Sequence, residues 1–276
     1  KLDIWIMDGN SQISIDYTGS GLLETLNIFS VLVGNRNCVI ILDEPALHLH
    51  PAKQRKLMGL INNIAKESIN QFIIITHSPY LIGIDSLEDV LRFNLEENKT
   101  KVYPVVNIFN QGNEDKIKKE FTLNPHYKNI LFAKGVIIVE GESEEIGVRY
   151  LLQKAGFSLE EHDVEIFNAH GDTHFEISAK TAKMLNIPYI IVCDKKALSQ
   201  IPGELQSDVF HFGEDDFVEF LDTEFSAACK RIKGLKAINS KPLKTMRVLQ
   251  ELNDEEVENS QKVKKLAEFV KEKILK

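Results

Sequence analysis

The chain has little cysteine, no long apolar run and no glycine-lysine step, and each shortage excludes something. Cys38, Cys193 and Cys229 are the three cysteines of 276 residues, and they form neither a CxxC pair nor a Cys/His cluster. A disulfide framework and a zinc site are therefore not expected, and a reducing, cytoplasmic setting fits. No stretch approaches the roughly 20 apolar residues that cross a bilayer, and Lys1-Leu2-Asp3-Ile4-Trp5 lacks the form of a signal peptide, so no membrane partner is expected. Internal repeats and low-complexity segments are absent. The Gly-Lys dipeptide occurs nowhere, so these residues contain no Gly-x-x-x-x-Gly-Lys-[Ser/Thr] phosphate loop.

The composition is that of a soluble globular protein large enough for two domains. The net charge of −8 argues against a surface that is basic throughout, but the charge is unevenly spread. Lys230, Arg231, Lys233, Lys236, Lys241, Lys244 and Arg247 lie close together, ahead of the acidic Asp254-Glu255-Glu256. They read either as a solvated helical face or as a patch for nucleic acid.

The pattern is α/β. Alternation up to about Ile15, with Asp8-Gly9-Asn10 as a turn, predicts a hairpin, and a helix follows from Leu22. Val39 to Leu42, an amphipathic helix over about 52–66 striped by Leu57, Leu60, Ile61 and Ile64, and Phe72 to Thr76 form a β-α-β unit. Residues 85–124 are polar and read as irregular, with Gln111-Gly112-Asn113-Glu114-Asp115 marking a domain junction. A second α/β series has strands at 135–139, 164–168 and 189–193 and helices at about 143–155 and 173–185. Two helices, parted near Asn253-Asp254, are expected from about Pro242.

Two strands end in acids. Val39-Ile40-Ile41-Leu42 runs into Asp43-Glu44, and Val136-Ile137-Ile138-Val139 runs into Glu140-Gly141-Glu142-Ser143-Glu144. Each β-branched run reads as a strand covered on both faces, with its acids at the C-terminal edge where open α/β sheets bind ligands. At the first edge, one carboxylate suits Mg²⁺ while its neighbour orients the water that attacks a γ-phosphate. Thr18-Gly19-Ser20-Gly21 offers amides at a helix N-terminus, and His77 ends the next strand. At the second edge, the helix dipole and a cap from Ser143 account for Glu144 but leave Glu140 unexplained. A strand beside Glu140 would bring Asp194 to the same edge, and carboxylates crowded there repel unless Mg²⁺ or Mn²⁺ neutralises them.

The first edge resembles the ATP-binding-cassette ATPases of chromosome maintenance and repair. The resemblance implies a Walker B strand with Asp43 and Glu44, a degenerate signature motif at Gly19, Ser20 and Gly21, and a switch histidine at His77. It also implies ATP as cofactor, a homodimer in which one subunit's signature completes another's site, and a Walker A lobe outside these residues. Without that lobe the chain is not expected to hydrolyse ATP alone. Glu140-Gly141-x-x-Glu144, followed by a strand into Asp194, resembles the Toprim domain. Toprim after an ATP-binding-cassette segment is similar to the OLD (overcoming lysogenization defect) nucleases, a family that includes the nuclease subunit of the Gabija anti-phage system.

That resemblance implies residues 1–105 as the C-terminal lobe of an ATPase, 106–132 as linker helices, 133–240 as Toprim and 241–276 as a short helical segment. It implies an Mg²⁺- or Mn²⁺-dependent DNA endonuclease or nickase in anti-phage defence, with a helicase-like protein as a possible further partner. Glu140, Glu144 and Asp194 match metal ligands. Glu219, or alternatively Asp216, would supply a later acid, and Lys241 would be the lysine that stabilises phosphorane charge unless it is simply one more lysine of the basic segment. Toprim usually carries Asp-x-Asp, whereas here the sequence is Asp194-Lys195-Lys196, with Lys196 in the place of the second acid. A lysine cannot coordinate a metal, which leaves one-metal chemistry, recruitment of Asp215 or Asp216, or lost cleavage.

Overall fold

The computed structural model describes residues 4–8, 11–83, 87–106, 125–171 and 174–275. The chain divides into two compact units, Lys1–Leu87 and Glu88–Lys276. The Gly9-Asn10 turn, the 111–115 loop and residues 172–173 lie outside the described residues.

In the first unit, β1 (Trp5–Asp8) and β2 (Ser11–Ser14) pair as the expected antiparallel hairpin. Helix α1 (Ser20–Gly34) follows. Strand β3 (Val39–Asp43), helix α2 (Pro51–Ser68) and strand β4 (Gln71–Ile75) make the β-α-β unit, with β3 and β4 parallel. Pro51 opens α2 at a position that needs no N–H donor, and His50 caps it by accepting from the Ala52 amide at 3.3 Å. Ile28, Leu32, Ile40, Leu42, Leu57 and Ile61 form the core. The expectation that β3 is covered on both faces is corrected here. Ile40 and Leu42 are buried, but Val39 and Ile41 are 55% and 64% exposed, because helices pack on only one side of the pair.

The second unit begins with a hairpin of β5 (Leu91–Glu96) and β6 (Lys99–Pro104), where irregular chain was expected. Its Glu97-Asn98 turn has both residues at positive φ, 49° and 61°, the geometry that matches strand twist in two-residue turns. Arg92 anchors it from the opposite face to Leu91, Phe93 and Leu95. The buried guanidinium donates to the carbonyls of Leu131 (3.1 Å), Leu185 (2.9 Å) and Ala133 (3.1 Å). Three carbonyl acceptors satisfy a cation whose pKa burial pushes down.

Strands β7 (Gly135–Val139), β8 (Val164–Asn168), β9 (Tyr189–Val192) and β10 (Val209–Phe210) form one parallel sheet in the order β10-β9-β7-β8. Helices α3 (Glu142–Lys154) and α4 (Phe175–Met184) connect the first three strands. Every residue of β7 is buried. Helices α5 (Phe217–Glu224) and α6 (Ser226–Arg231) follow, then α7 (Lys241–Glu251), α8 (Asp254–Asn259) and α9 (Gln261–Ile274). Two helices were expected after 242, but the segment holds three, because Asn253 and Glu256 build a capping box and Ser260 caps a further start. These helices share the sheet's core: Val248, Val263, Leu266 and Val270 cluster with Ile137, Val139, Ile190 and Val192. No helix among the described residues is long and apolar enough to cross a membrane.

Candidate active site

The chain leaves β7 to form β8 on one side, then returns past β7 to form β9 on the other. The carboxyl ends of β7 and β9 therefore flank a topological switch point, where open parallel sheets form a ligand crevice. Val139 lies opposite Val192, so Glu140 and the Cys193-Asp194 step leave the sheet side by side. Gly171 donates its amide to the Glu140 carbonyl at 2.9 Å, and Glu145 donates to the Gly141 carbonyl at 3.0 Å. A Cβ on Gly141 would stand 3.2 Å from Glu144 Oε2, so glycine gives that carboxylate room. Ser143 does not cap α3, whose N-cap is Gly141 without a side-chain cap; Ser143 is buried in the first turn instead.

The electrostatics are those of crowded acids. Glu144 is buried, and burial raises its pKa with help from the charge of Glu140, against hydrogen bonds from its own amide and that of Gly141. Asp194 is pushed up to about 7 by burial and then by Glu144, Glu140 and Asp216, with Lys241 opposing. Burial, with Asp194 and Glu140, also lifts the Cys193 thiol to about 12, which keeps it protonated and unreactive.

Asp216 caps α5 by accepting from the Glu219 amide at 2.9 Å, and its other oxygen lies 3.4 Å from Lys241 Nζ. Burial works to raise its pKa, yet these two donors hold it below the usual carboxylate value. Glu219 turns back to accept from the Asp215 amide at 3.2 Å, so its carboxylate serves the helix start. Of the two later acids, Asp216 is the one whose charge reaches Asp194. Lys196 Nζ stands 3.6 Å from Asp215. Among the described residues, no three His, Cys, Asp or Glu groups close on a point that could hold a metal ion. The donors nevertheless have the hard-oxygen chemistry that suits Mg²⁺ or Mn²⁺, and the repulsion that adds to burial in lifting Asp194 is what a cation relieves.

Sequence reading missed Glu214. Its carboxylate pairs with Lys262 of α9, and its carbonyl accepts from the Lys195 amide at 3.0 Å, so it ties the chain after β9 to the loop carrying Asp215 and Asp216. Nothing local in the sequence marks a partner 48 residues away.

At the first edge, Glu44 adopts φ 46°, a strained backbone for a residue with a Cβ. Its amide donates to Ile75 at 2.9 Å, and its carboxylate accepts from the His77 amide at 3.0 Å and the Thr76 hydroxyl at 3.3 Å. The His77 imidazole lies 3.9 Å away and is almost fully exposed. Asp43 is exposed at the end of β3. Gly19 is the N-cap of α1, Ser20 its first residue, and Gly21 packs so closely that a Cβ would meet the His48 carbonyl at 2.7 Å. Glu44 and His77 are thus brought together, while Gly19-Ser20-Gly21 lies beside His48.

Fold and edge together define a class, a parallel α/β unit with acids at its switch point, preceded in the chain by a β-α-β segment. Residues 131–195 match the family model described as "Overcoming lysogenization defect protein-like, TOPRIM domain", and residues 11–83 match "AAA domain, putative AbiEii toxin, Type IV TA system". Each match spans about a quarter of the chain, and the second unit is similar to the OLD-type Toprim domain. It is 23% identical over 167 residues to the OLD nuclease of Thermus scotoductus, covering 59% of this chain and 32% of that protein. It is 27% identical over 111 residues to Septu protein PtuA of Bacillus thuringiensis, covering 35% and 28%. Among solved structures, it is similar to the C-terminal region of the Xanthomonas campestris pv. campestris OLD protein at 17% identity and TM-score 0.36, over 51% of this chain and 96% of that one. The chain spans about a third of the length of OLD nuclease.

Proposed function

We propose that the chain is part of an ATP-regulated, divalent-metal-dependent DNA endonuclease or nickase acting in defence against foreign DNA. The observation that carries this reading is the pairing of Glu140 and Asp194 at the switch point, with Glu144 buried behind them and Asp194 pushed up to about 7. Glu140, Asp194 and Glu144 would hold Mg²⁺ or Mn²⁺, with Asp216 nearest to extending the set and Glu219 bracing it through the α5 cap. A bound ion supplies an activated water and neutralises charge on the phosphate. The residues themselves orient that centre: Gly171 fixes the Glu140 backbone, Glu214 fixes the loop of Asp216, and Lys241 offers an ammonium to a phosphate oxygen.

The first unit would gate this chemistry. Asp43 suits Mg²⁺ on ATP, Glu44 the attacking water and His77 the γ-phosphate, with Gly19, Ser20 and Gly21 facing a partner subunit's nucleotide in a homodimer. A helicase-like protein is a further partner consistent with the family resemblance. Plasmid incubated with Mn²⁺ is expected to be nicked or cut, and Glu140→Ala to abolish it; unchanged cutting by that variant would reject the assignment.

The Lys196–Asp215 pair favours a second reading, in which the Toprim unit is a sensor or scaffold without cleavage and the ATPase drives DNA binding or partner recruitment. Lys196→Asp separates the two. A gain in metal-dependent cutting marks a weakened catalytic site, and no gain favours the scaffold.

A further inference from the structure

The basic segment singled out in the sequence is not used by the acidic edge beyond Lys241. Residues 225–250 contain no aspartate or glutamate, in a chain whose net charge is −8. The structure sorts the seven cations of this stretch into two sets. Three are fixed to acids or carbonyls of the same unit. Arg231 donates to Glu256 and to the Glu251 carbonyl, both at 2.7 Å; Lys244 reaches Asp222 at 2.6 Å; and Lys241 reaches Asp216 at 3.4 Å. The other four, Lys230, Lys233, Lys236 and Arg247, are exposed and form no ion pair among the described residues.

Anchoring and display have different consequences. Arg231 and Lys244, held by short hydrogen bonds to the protein's own oxygens, gain little from a phosphate, whereas an unpaired exposed cation releases condensed counterions when it meets one. Gly234, at φ 75°, bends the chain between Lys233 and Lys236, and Ser240 starts α7 so that Lys241 meets Asp216. The anchors therefore hold Lys230, Lys233 and Lys236 on a segment that runs to the acidic edge at Lys241, with Arg247 beyond it on α7. We infer that Lys230, Lys233, Lys236 and Arg247 form a phosphate-tracking ridge that seats the backbone of duplex DNA beside Glu140 and Asp194. The inference rests on the nuclease reading for its substrate.

The test measures binding of the full chain to a short labelled duplex in EDTA, so that cleavage plays no part, over a range of salt concentrations. Each phosphate contact contributes about −0.9 to the slope of log K against log salt. The variant K230Q/K233Q/K236Q/R247Q is expected to flatten that slope by about 3 to 4, while K183Q/K264Q/K265Q/K271Q, which removes the same charge from exposed lysines elsewhere, changes it by less than about 1. An unchanged slope in the ridge variant, or an equal change in the control, overturns the ridge. Circular dichroism of both variants checks that the fold is retained. Glu140→Gln, assayed separately for cutting, tests the nuclease reading; it is expected to keep the wild-type salt slope, so the two ideas fail by different measurements.

Discussion

The two strands that end in acids, β3 and β7, differ in what surrounds them. Strand β7 is buried along its whole length between helical layers, and the acids at its edge repel one another. Strand β3 shows one face to solvent, and its Glu44 is already satisfied by the His77 amide and the Thr76 hydroxyl. A carboxylate that the protein's own donors satisfy is positioned for a task, whereas a carboxylate lifted by burial and by the charge of its neighbours is positioned for a cation. Two closely similar four-residue apolar runs, Val39 to Leu42 and Val136 to Val139, thus lead to two kinds of edge.

The sharpest way to break this comparison is to truncate matched isoleucines. Ile138→Ala, at a fully buried position, is expected to cost about 2–5 kcal/mol, and Ile41→Ala, on the exposed face, less than about 0.5 kcal/mol, read by urea denaturation. Equal costs would mean that β3 is as enclosed as β7. Next in size is Gly147→Ala. Its Cβ would stand 2.1 Å from the Phe217 ring, so α3 and α5 must separate, at about 1–3 kcal/mol in the same experiment. Glu44→Ala should cost about 1 kcal/mol, because the His77 amide loses its acceptor at a partly exposed site. Full stability in that variant would remove the claim that Glu44 is held by its own edge.

The smallest effect concerns pH. Hydrogen bonds from Lys101 and then Tyr103 lower Glu96 from 4.5 to about 2. Because its folded pKa is depressed, the stability it supplies to the β5–β6 hairpin is present above pH 4.5 and is lost as pH falls through 2. Glu96→Gln should flatten the melting temperature over that window, and an unaltered acid limb would contradict the linkage.

Much of the second unit was legible in the sequence because buried parallel strands are written as unbroken β-branched runs. The 135–139 and 164–168 strands have the bounds expected of them, and Asp194 emerges beside Glu140. The β5–β6 hairpin was missed although Leu91, Phe93 and Leu95 alternate with Arg92, Asn94 and Glu96; its pattern was masked by a polar surrounding and by a Glu-Asn turn with no glycine. The one-sided exposure of β3 could not be read, since an apolar run specifies a strand without specifying what covers it. The Glu214–Lys262 pair and the division of labour between Asp216 and Glu219 depend on tertiary placement of helix starts, which spacing along the chain does not encode.

The central claim is that the β7–β9 edge, and not the β3–β4 edge, takes a divalent cation without nucleotide. Mn²⁺ binding followed by electron paramagnetic resonance in nucleotide-free protein tests it directly. The account predicts that Glu140→Gln and Asp194→Asn each weaken binding at least about tenfold while Glu44→Gln leaves it unchanged; undiminished affinity in both Toprim-edge variants, or loss on Glu44→Gln alone, would contradict it.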